Sequence, residues 1–145
     1  EIIEDVNQLK LKADNNLKGT DIKTMPYPGF PTDMQAQFMS LLTQSSGENL
    51  VIETVFEKRF RHVDELRRMG AQIKVDGRSA VVGSANLEGA KVEATDLRAG
   101  AALIIAGLIA SGQTEIHNIY HIERGYEDII DKLQQIGAQI ELVAD

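Results

Sequence analysis

Two spacings of apolar residues alternate along the chain, and each marks an element. Met34, Phe38, Leu41 and Leu42 recur at helical intervals and predict a helix that opens near residue 32 and is stopped by Ser45-Ser46-Gly47. Leu50-Val51-Ile52-Glu53-Thr54-Val55-Phe56 is a short, largely apolar run and reads as a buried strand. A charged knuckle, Glu57-Lys58-Arg59-Phe60-Arg61-His62, leads into a second helix with Val63, Leu66 and Met69 on its inner side and Gly70 suited to the left-handed position after it. Ala71 to Val75 and Ser79 to Val82 predict a hairpin with Asp76-Gly77 as a type I′ turn. Ahead of these, residues 1 to 12 read as strand with a turn at Asp5-Val6-Asn7, and Asp14-Asn15-Asn16 with Gly19 marks a loop.

The succession then returns. Thr32-Asp33-Met34-Gln35-Ala36 is echoed by Thr95-Asp96-Leu97-Arg98-Ala99, Ser46-Gly47 by Ser111-Gly112, and Met69-Gly70-Ala71-Gln72-Ile73 by Ile136-Gly137-Ala138-Gln139-Ile140. Landmarks keep their order while the offset drifts by a few loop residues, the signature of a duplicated unit. Asn16-Leu17-Lys18-Gly19 likewise matches Asn86-Leu87-Glu88-Gly89. The chain is therefore read as the end of a truncated unit (1–23), a unit holding Asp33 (24–94) and a C-terminal unit (95–145). A chain that opens inside a unit, without Met, is expected to be the C-terminal part of a longer protein. In the last unit the helix from Asp96 to Ala110 is apolar on nearly all sides, through Leu97, Leu103, Ile104, Ile105, Leu108 and Ile109, so it is expected at the centre. A strand over Thr114 to Ile119, a knuckle over Tyr120 to Tyr126, a helix carrying Ile129, Ile130, Leu133 and Ile136, and a last strand over Ala138 to Val143 follow. The fold class is mixed α/β (α+β), built of repeated βαβαββ-type units.

One stretch combines a stiff turn with a possible reacting group. Pro28 and Pro31 fix their own φ and push Tyr27 and Phe30 toward extended backbone, so no helix begins before Thr32. Thr32 and Gln35 have the spacing of a capping box, which places Asp33 at the first helical position, where the helix dipole favours a carboxylate. Taken alone, composition and periodicity favour reading Asp33 as no more than a helix-start acid.

Composition narrows the chemistry. Of 145 residues none is cysteine, which removes disulfides, thiolate metal sites and a cysteine nucleophile from these residues. A net charge of -7 argues against a general nucleic-acid or anionic-membrane binder, though not against a local basic site. The longest apolar run, Ala99 to Ala110, falls short of the roughly 18 residues a membrane helix needs. His117 and His121 have no third ligand at a sensible spacing, so no metal site is read. No glycine-rich phosphate loop and no Ser/His/Asp signature occurs. Tyr27, Tyr120 and Tyr126 are read as packing residues, His62 as part of the knuckle, and Arg67 and Arg68 as a solvated helix face.

Three arginines sit at junctions: Arg59 and Arg124 at matched knuckles, and Arg98 in the first turn of the central helix. A guanidinium fork suits phosphate or carboxylate, so packed units bring such forks to one anion. The other reading, that each caps a strand end or pairs with Glu57, Asp96 or Glu123, stays open. Phe56 and Phe60 beside Arg59 are suited to floor a pocket for a flat ligand. Residue chemistry reaches an anion site with one placed carboxylate, and no reaction type.

Five ordered motifs go further. Pro28-Gly29-Phe30-Pro31-Thr32-Asp33-Met34-Gln35-Ala36-Gln37, Glu53-Thr54-Val55-Phe56-Glu57-Lys58-Arg59-Phe60, Arg68-Met69-Gly70-Ala71, Ala94-Thr95-Asp96-Leu97-Arg98-Ala99 and Tyr120-His121-Ile122-Glu123-Arg124-Gly125-Tyr126 together resemble the C-terminal third of the UDP-N-acetylglucosamine 1-carboxyvinyltransferase family, from about Asp21 onward. The resemblance implies an enolpyruvyl transferase with an inside-out α/β barrel, helices buried and sheets outside, in two domains of three units with the active site between them. It implies transfer of the enolpyruvyl group of phosphoenolpyruvate to the 3′-hydroxyl of UDP-N-acetylglucosamine with release of phosphate, the committed step of peptidoglycan synthesis in the bacterial cytoplasm, with no metal or organic cofactor. By the same resemblance Asp33 is the proton acceptor at the sugar hydroxyl, Val55 and Phe56 border the UDP-sugar, and Arg124, Arg98 and Arg59 gather near phosphoenolpyruvate and phosphate. The family's general-acid cysteine loop, a lysine and further substrate arginines are outside these residues, so the chain alone is expected to be inactive. It is also expected to self-associate through an uncovered flank. The alternatives are the sister family acting on shikimate 3-phosphate, and a non-catalytic repeat module used for interaction.

Overall fold

The computed structural model describes residues 2–13 and 16–143; the Asp14-Asn15 part of the predicted loop lies outside them. The chain begins with an antiparallel hairpin of β1 (Ile2–Asp5) and β2 (Gln8–Leu11). Asp5 pairs with Gln8, so the turn is Val6-Asn7, one residue tighter than predicted, with Asp5 Oδ1 accepting from Val6 N at 2.7 Å. Every position of the hairpin is exposed.

A four-stranded sheet follows, in the order β3 (Ile22–Lys23), β4 (Glu48–Ile52), β6 (Ser79–Gly83), β5 (Ile73–Asp76). β3 and β4 are parallel, and the remaining pairs are antiparallel. Asn49, fully buried in β4, satisfies its amide by donating to Ser45 Oγ and the Val82 carbonyl while accepting from Thr20 N. The β5–β6 hairpin forms as predicted, but Asp76 pairs with Ser79, so the loop is Gly77-Arg78. Gly77, at φ 55°, takes the first turn position, and Arg78 is not left-handed, the pattern of a II′ rather than a I′ turn.

β4 stops at Ile52, short of the predicted Phe56. The Glu53 carboxylate causes this by folding back to accept from Val55 N (2.8 Å) and Phe56 N (3.0 Å), donors a continuing strand would offer to a neighbour.

Between the strands run α1 (Gln35–Leu42), α2 (Val63–Arg68) and α3 (Leu97–Ile109). Pro31 precedes a 3₁₀ turn over Thr32–Met34, and α1 grows from it. The predicted capping box does not form: the Thr32 hydroxyl donates to Glu53 Oε2 at 2.8 Å, and Gln35 lies inside the helix. The predicted inner face of α1 is corrected in part: Leu42 is buried and Phe38 packs on the core, but Met34 and Leu41 are exposed, and Ala36, Met39 and Ser40 are buried instead. The reason is that α1 lies against α3, with Ser40 Oγ donating to the Ala102 carbonyl at 2.8 Å, which demands small and polar residues on that side. α2 follows its predicted pattern, with Val63, Leu66 and Met69 all buried and Gly70 left-handed at φ 92°.

α3 takes the central place its apolar girth predicts, but it buries Ala99 to Ile104 and Ala106, while Leu97, Ile105 and Ile109 are partly buried and Leu108 is exposed. Its cap is Asp96, whose side chain accepts from Arg98 N and Ala99 N. β7 (Lys91–Glu93) and β8 (Glu115–His117) form a second parallel pair. The two parallel pairs are built alike: Ser46 N donates to Leu17 O and Ser111 N to Leu87 O, both at 2.9 Å. The predicted knuckle contains a short helix, α4 (Tyr120–Glu123), followed by α5 (Ile129–Gln135). Ala138 to Val143 do not form the predicted last strand. Its counterpart β5 is held by β6, and no described strand lies beside Ala138 to Val143. One core joins α1, α2 and α3 to the four-stranded sheet, and a smaller cluster of Ala94, Ile104 and Ile122 holds the C-terminal helices.

Candidate functional site

The Pro31 turn and the cap of α3 aim two groups at each other across the helix pair. Arg98 Nε lies 2.6 Å from Asp33 Oδ1, and Arg59 Nη2 lies 3.8 Å from the same oxygen. Asp33 keeps 64% of its side-chain surface exposed, against 28% for Arg98 and 17% for Arg59, so the carboxylate faces outward over two cations seated beneath it. Three sequence-predicted residues therefore converge, from the 3₁₀ turn before α1, the first knuckle and the central helix.

Arg59 is also steered from its own loop. Lys58 is left-handed at φ 56°, which turns the chain back so that the Arg59 guanidinium sits 4.3 Å from the Phe56 ring centroid. Phe56, Glu57, Lys58, Arg59, Arg61 and Asp96 line an open depression of about 270 Å³ beside this pair. Phe60 does not floor it and instead packs on the main core. Val55 and Phe56 are partly exposed, Phe56 as part of the lining and Val55 as its neighbour in the chain.

Glu53 links the rim to the carboxylate. Buried at 1% exposure, it accepts from Thr24 Oγ1 (2.9 Å), Thr32 Oγ1 (2.8 Å), Val55 N and Phe56 N. Burial pushes its pKa up, but the Phe56 N–H, the Thr32 and Thr24 hydroxyls and the Val55 N–H outweigh burial and hold it below the ordinary value. One side chain thus fixes Thr32, next to Asp33, relative to Val55 and Phe56. Sequence reasoning missed it because it lies inside an apolar run; the available signal was a lone acid in that run.

His62 is buried as well, and burial lowers its pKa to about 4, against the opposing effects of the Asp96 charge and a hydrogen bond with the Arg59 backbone. The imidazole is neutral near pH 7.

Arg124 is not brought into the cluster. It is exposed at the end of α4 and makes no side-chain hydrogen bond or ion pair among the described residues. Its neighbours place the loop on the same side of the molecule: Gly125 lies against Leu97, and Tyr126 Oη accepts from Gln37 Nε2 at 3.2 Å. Two of the tyrosines read as packing residues are not so used, since Tyr27 is 97% exposed and Tyr120 stacks on His121 at the surface. Chemically, the arrangement offers one carboxylate as proton acceptor and adjacent guanidinium donors for an anion.

Residues 2–133 match the family described as EPSP synthase (3-phosphoshikimate 1-carboxyvinyltransferase). A UDP-N-acetylglucosamine 1-carboxyvinyltransferase of Halothermothrix orenii is 61% identical over 143 residues, covering 99% of this chain and 34% of that protein. UDP-N-acetylglucosamine 1-carboxyvinyltransferase 1 of Caldanaerobacter subterraneus subsp. tengcongensis is 59% identical over 140 residues, covering 96% and 34%. The chain thus spans about a third of the length of the curated relatives it matches. Among solved structures, the enolpyruvyl transferase NikO from Streptomyces tendae has a TM-score of 0.87 at 28% identity, over 97% of this chain and 33% of that one. EPSP synthase from Acinetobacter baumannii, with a TM-score of 0.63 at 18% identity over 99% and 34%, shares the fold.

Proposed function

We propose, since this chain belongs to the EPSP synthase (3-phosphoshikimate 1-carboxyvinyltransferase) family, that it is the C-terminal third of an enzyme transferring the enolpyruvyl group of phosphoenolpyruvate to the 3′-hydroxyl of UDP-N-acetylglucosamine. Phosphate is released, and the product enters peptidoglycan synthesis in the bacterial cytoplasm. The observation that carries this reading is the convergence of Asp33, Arg98 and Arg59, with Asp33 outermost. The relatives bearing that activity in their names are 59 and 61% identical, whereas the shikimate-phosphate enzyme resembles the chain at 18%, which favours the UDP-sugar as acceptor.

In the reaction, Asp33 takes the proton of the sugar hydroxyl as its oxygen bonds to C2 of the enolpyruvyl group. An acid outside these residues protonates C3. Breakdown of the resulting tetrahedral ketal breaks the C2–O bond to phosphate and returns the C3 proton. Arg98 and Arg59, with Arg124 from the neighbouring loop, hold the carboxylate and phosphate of phosphoenolpyruvate and stabilise charge on the leaving group. An arriving anion competes with Asp33 for the two guanidiniums, which frees the carboxylate to act as a base. Val55 and Phe56, held by Glu53, border the UDP-sugar.

We further read the chain as units 1–23, 24–94 and 95–145 of one domain of an inside-out α/β barrel. Substrate binding requires the rest of the protein, and the uncovered flank of the chain self-associates when that part is missing. The test is phosphate release from phosphoenolpyruvate with UDP-N-acetylglucosamine or shikimate 3-phosphate as acceptor. The complete protein is expected to turn over the UDP-sugar only, the 145-residue chain neither, and Asp33→Asn is expected to lower turnover about 10²–10⁴-fold. Turnover with shikimate 3-phosphate, or an Asp33→Asn protein of unchanged rate, overturns the reading.

A further inference from the structure

Beneath the Asp33 pair lies a second, much smaller space of about 10 Å³, lined by Thr32, Gln35, Arg59, His62, Asp96 and Arg98. Three of the residues that line it each carry a buried polar atom with no hydrogen-bond partner among the described residues: Gln35 Nε2, Arg59 Nε and His62 Nε2. Gln35 and His62 are 1% and 3% exposed, so open solvent does not satisfy them. Native proteins leave few buried polar atoms unpaired, and three of them on residues that line one space point to a shared partner.

The chemistry of the three atoms defines that partner. The Arg59 backbone raises the His62 pKa, as an acceptor of a ring N–H does, and with Nε2 unpartnered we assign that N–H to Nδ1. In the neutral ring Nδ1–H is then the donor and Nε2 carries a lone pair. The Gln35 amide and Arg59 Nε are donors. A group that accepts from two N–H donors and donates to one ring nitrogen is a water molecule, and the space is of the size that holds one. Phosphate is too large for it and has no proton to spare for His62 when fully ionised.

We propose that one ordered water bridges Gln35 Nε2, Arg59 Nε and His62 Nε2, and that through it His62 acts as a positioning residue for the Arg59 guanidinium. Held at Nε by the water and stacked by one face on Phe56, the guanidinium has its plane fixed and its Nη atoms directed toward Asp33 and the anion. Burial keeps the ring an acceptor near neutral pH; the charged groups around it are Asp96, Arg59 and Arg98. The catalytic consequence rests on the proposed role of Arg59, whereas the water itself does not.

Two measurements separate those levels. A crystal structure of the complete protein at a resolution that orders solvent is expected to show one water within hydrogen-bond distance of all three atoms. Direct closure of Gln35 onto His62, or no water there, overturns the proposal whatever the enzyme does. In the same protein His62→Phe keeps a planar ring and removes the acceptor, and is expected to raise KM for phosphoenolpyruvate about tenfold with kcat changed less than twofold. His62→Gln returns an acceptor oxygen and is expected to bring KM back to within about threefold, although it fills the apolar space less well. Equal KM in the two variants, or a KM that follows their melting temperatures, assigns His62 a packing role and overturns the positioning role. If His62→Phe does not fold, the wild-type solvent structure and the His62→Gln kinetics decide. Absence of any turnover in the wild type counts against the enzymatic reading and leaves the water to stand or fall on the crystal structure.

Discussion

Asp33 is an exposed carboxylate whose nearest charges are less exposed than it is, an order that favours exchange over stability. A pair this open contributes about 0–1 kcal/mol, so Asp33→Ala is expected to leave the melting temperature nearly unchanged while removing activity from the complete protein. Glu53 has the opposite balance. Replacing it by Gln leaves one acceptor oxygen facing four donors, and Glu53→Gln is expected to destabilise the chain by about 2–4 kcal/mol in urea unfolding. Its depressed pKa makes that contribution fully present above the ordinary carboxylate range and lost as pH falls through the lower folded value. His62 acts in a higher window. Because its folded pKa is about 4 against an ordinary 6.5, the unfolded chain binds the proton first, and stability drops by roughly 1.4 kcal/mol per pH unit from about 6.5 down to about 4. A urea series across that window is expected to show the slope in the wild type and its loss in His62→Phe. At this scale Asp33, Arg59 and Arg98 were legible because turn, knuckle and helix start are marked locally. Glu53 and His62 were not, since their roles are set by partners such as Thr24 and Asp96 that lie far away in sequence.

At the scale of elements, matched positions carry matched constraints. A Cβ on Gly89 would stand 2.2 Å from the Gln113 carbonyl oxygen, and one on Gly19 would stand 2.7 Å from the Ser46 carbonyl oxygen, so each parallel crossing needs glycine for close backbone approach. Gly89→Ala is expected to lower stability by about 1–3 kcal/mol, whereas Gly83→Ala, whose Cβ would meet Gln72 at an ordinary 3.4 Å, is expected to stay within about 0.5 kcal/mol. Thermal melts of the two variants check this. Elements whose determinants are local were read correctly, α2 from its triplet of apolar residues and α3 from its girth; both hairpins form too, but on turns other than those predicted, Val6-Asn7 for the first and a Gly77-Arg78 II′ turn for the second. The cap of α1 was misread because Thr32 finds a better acceptor in Glu53, and its buried face because α3 requires small residues there. The C-terminal strand was misread because an apolar pattern does not supply a neighbouring strand.

Over the whole molecule, exposed apolar side chains occur along the chain, and both ends carry groups of them. Ile2, Ile3, Val6, Leu9 and Leu11 are exposed on the first hairpin, and Ile136, Leu142 and Val143 near the other terminus. A two-stranded ribbon with no buried face is marginal in water. Its amides are expected to exchange with solvent hydrogen faster than those of β4 and β6, and sedimentation is expected to show the 145-residue chain associating as concentration rises. Removing residues 2–11 is expected to reduce that association without lowering the stability of the four-stranded sheet.

The Asp33–Arg98 contact joins residues 65 apart in sequence, and it exists only once α1 and α3 have docked. During translation Asp33 and Arg59 leave the ribosome well before Arg98, so a nascent chain ending before Arg98 presents the turn and the knuckle with only the more distant of the two cations. The Asp33–Arg98 pair is therefore assembled late, and its appearance reports that α1 and α3 have been made and joined.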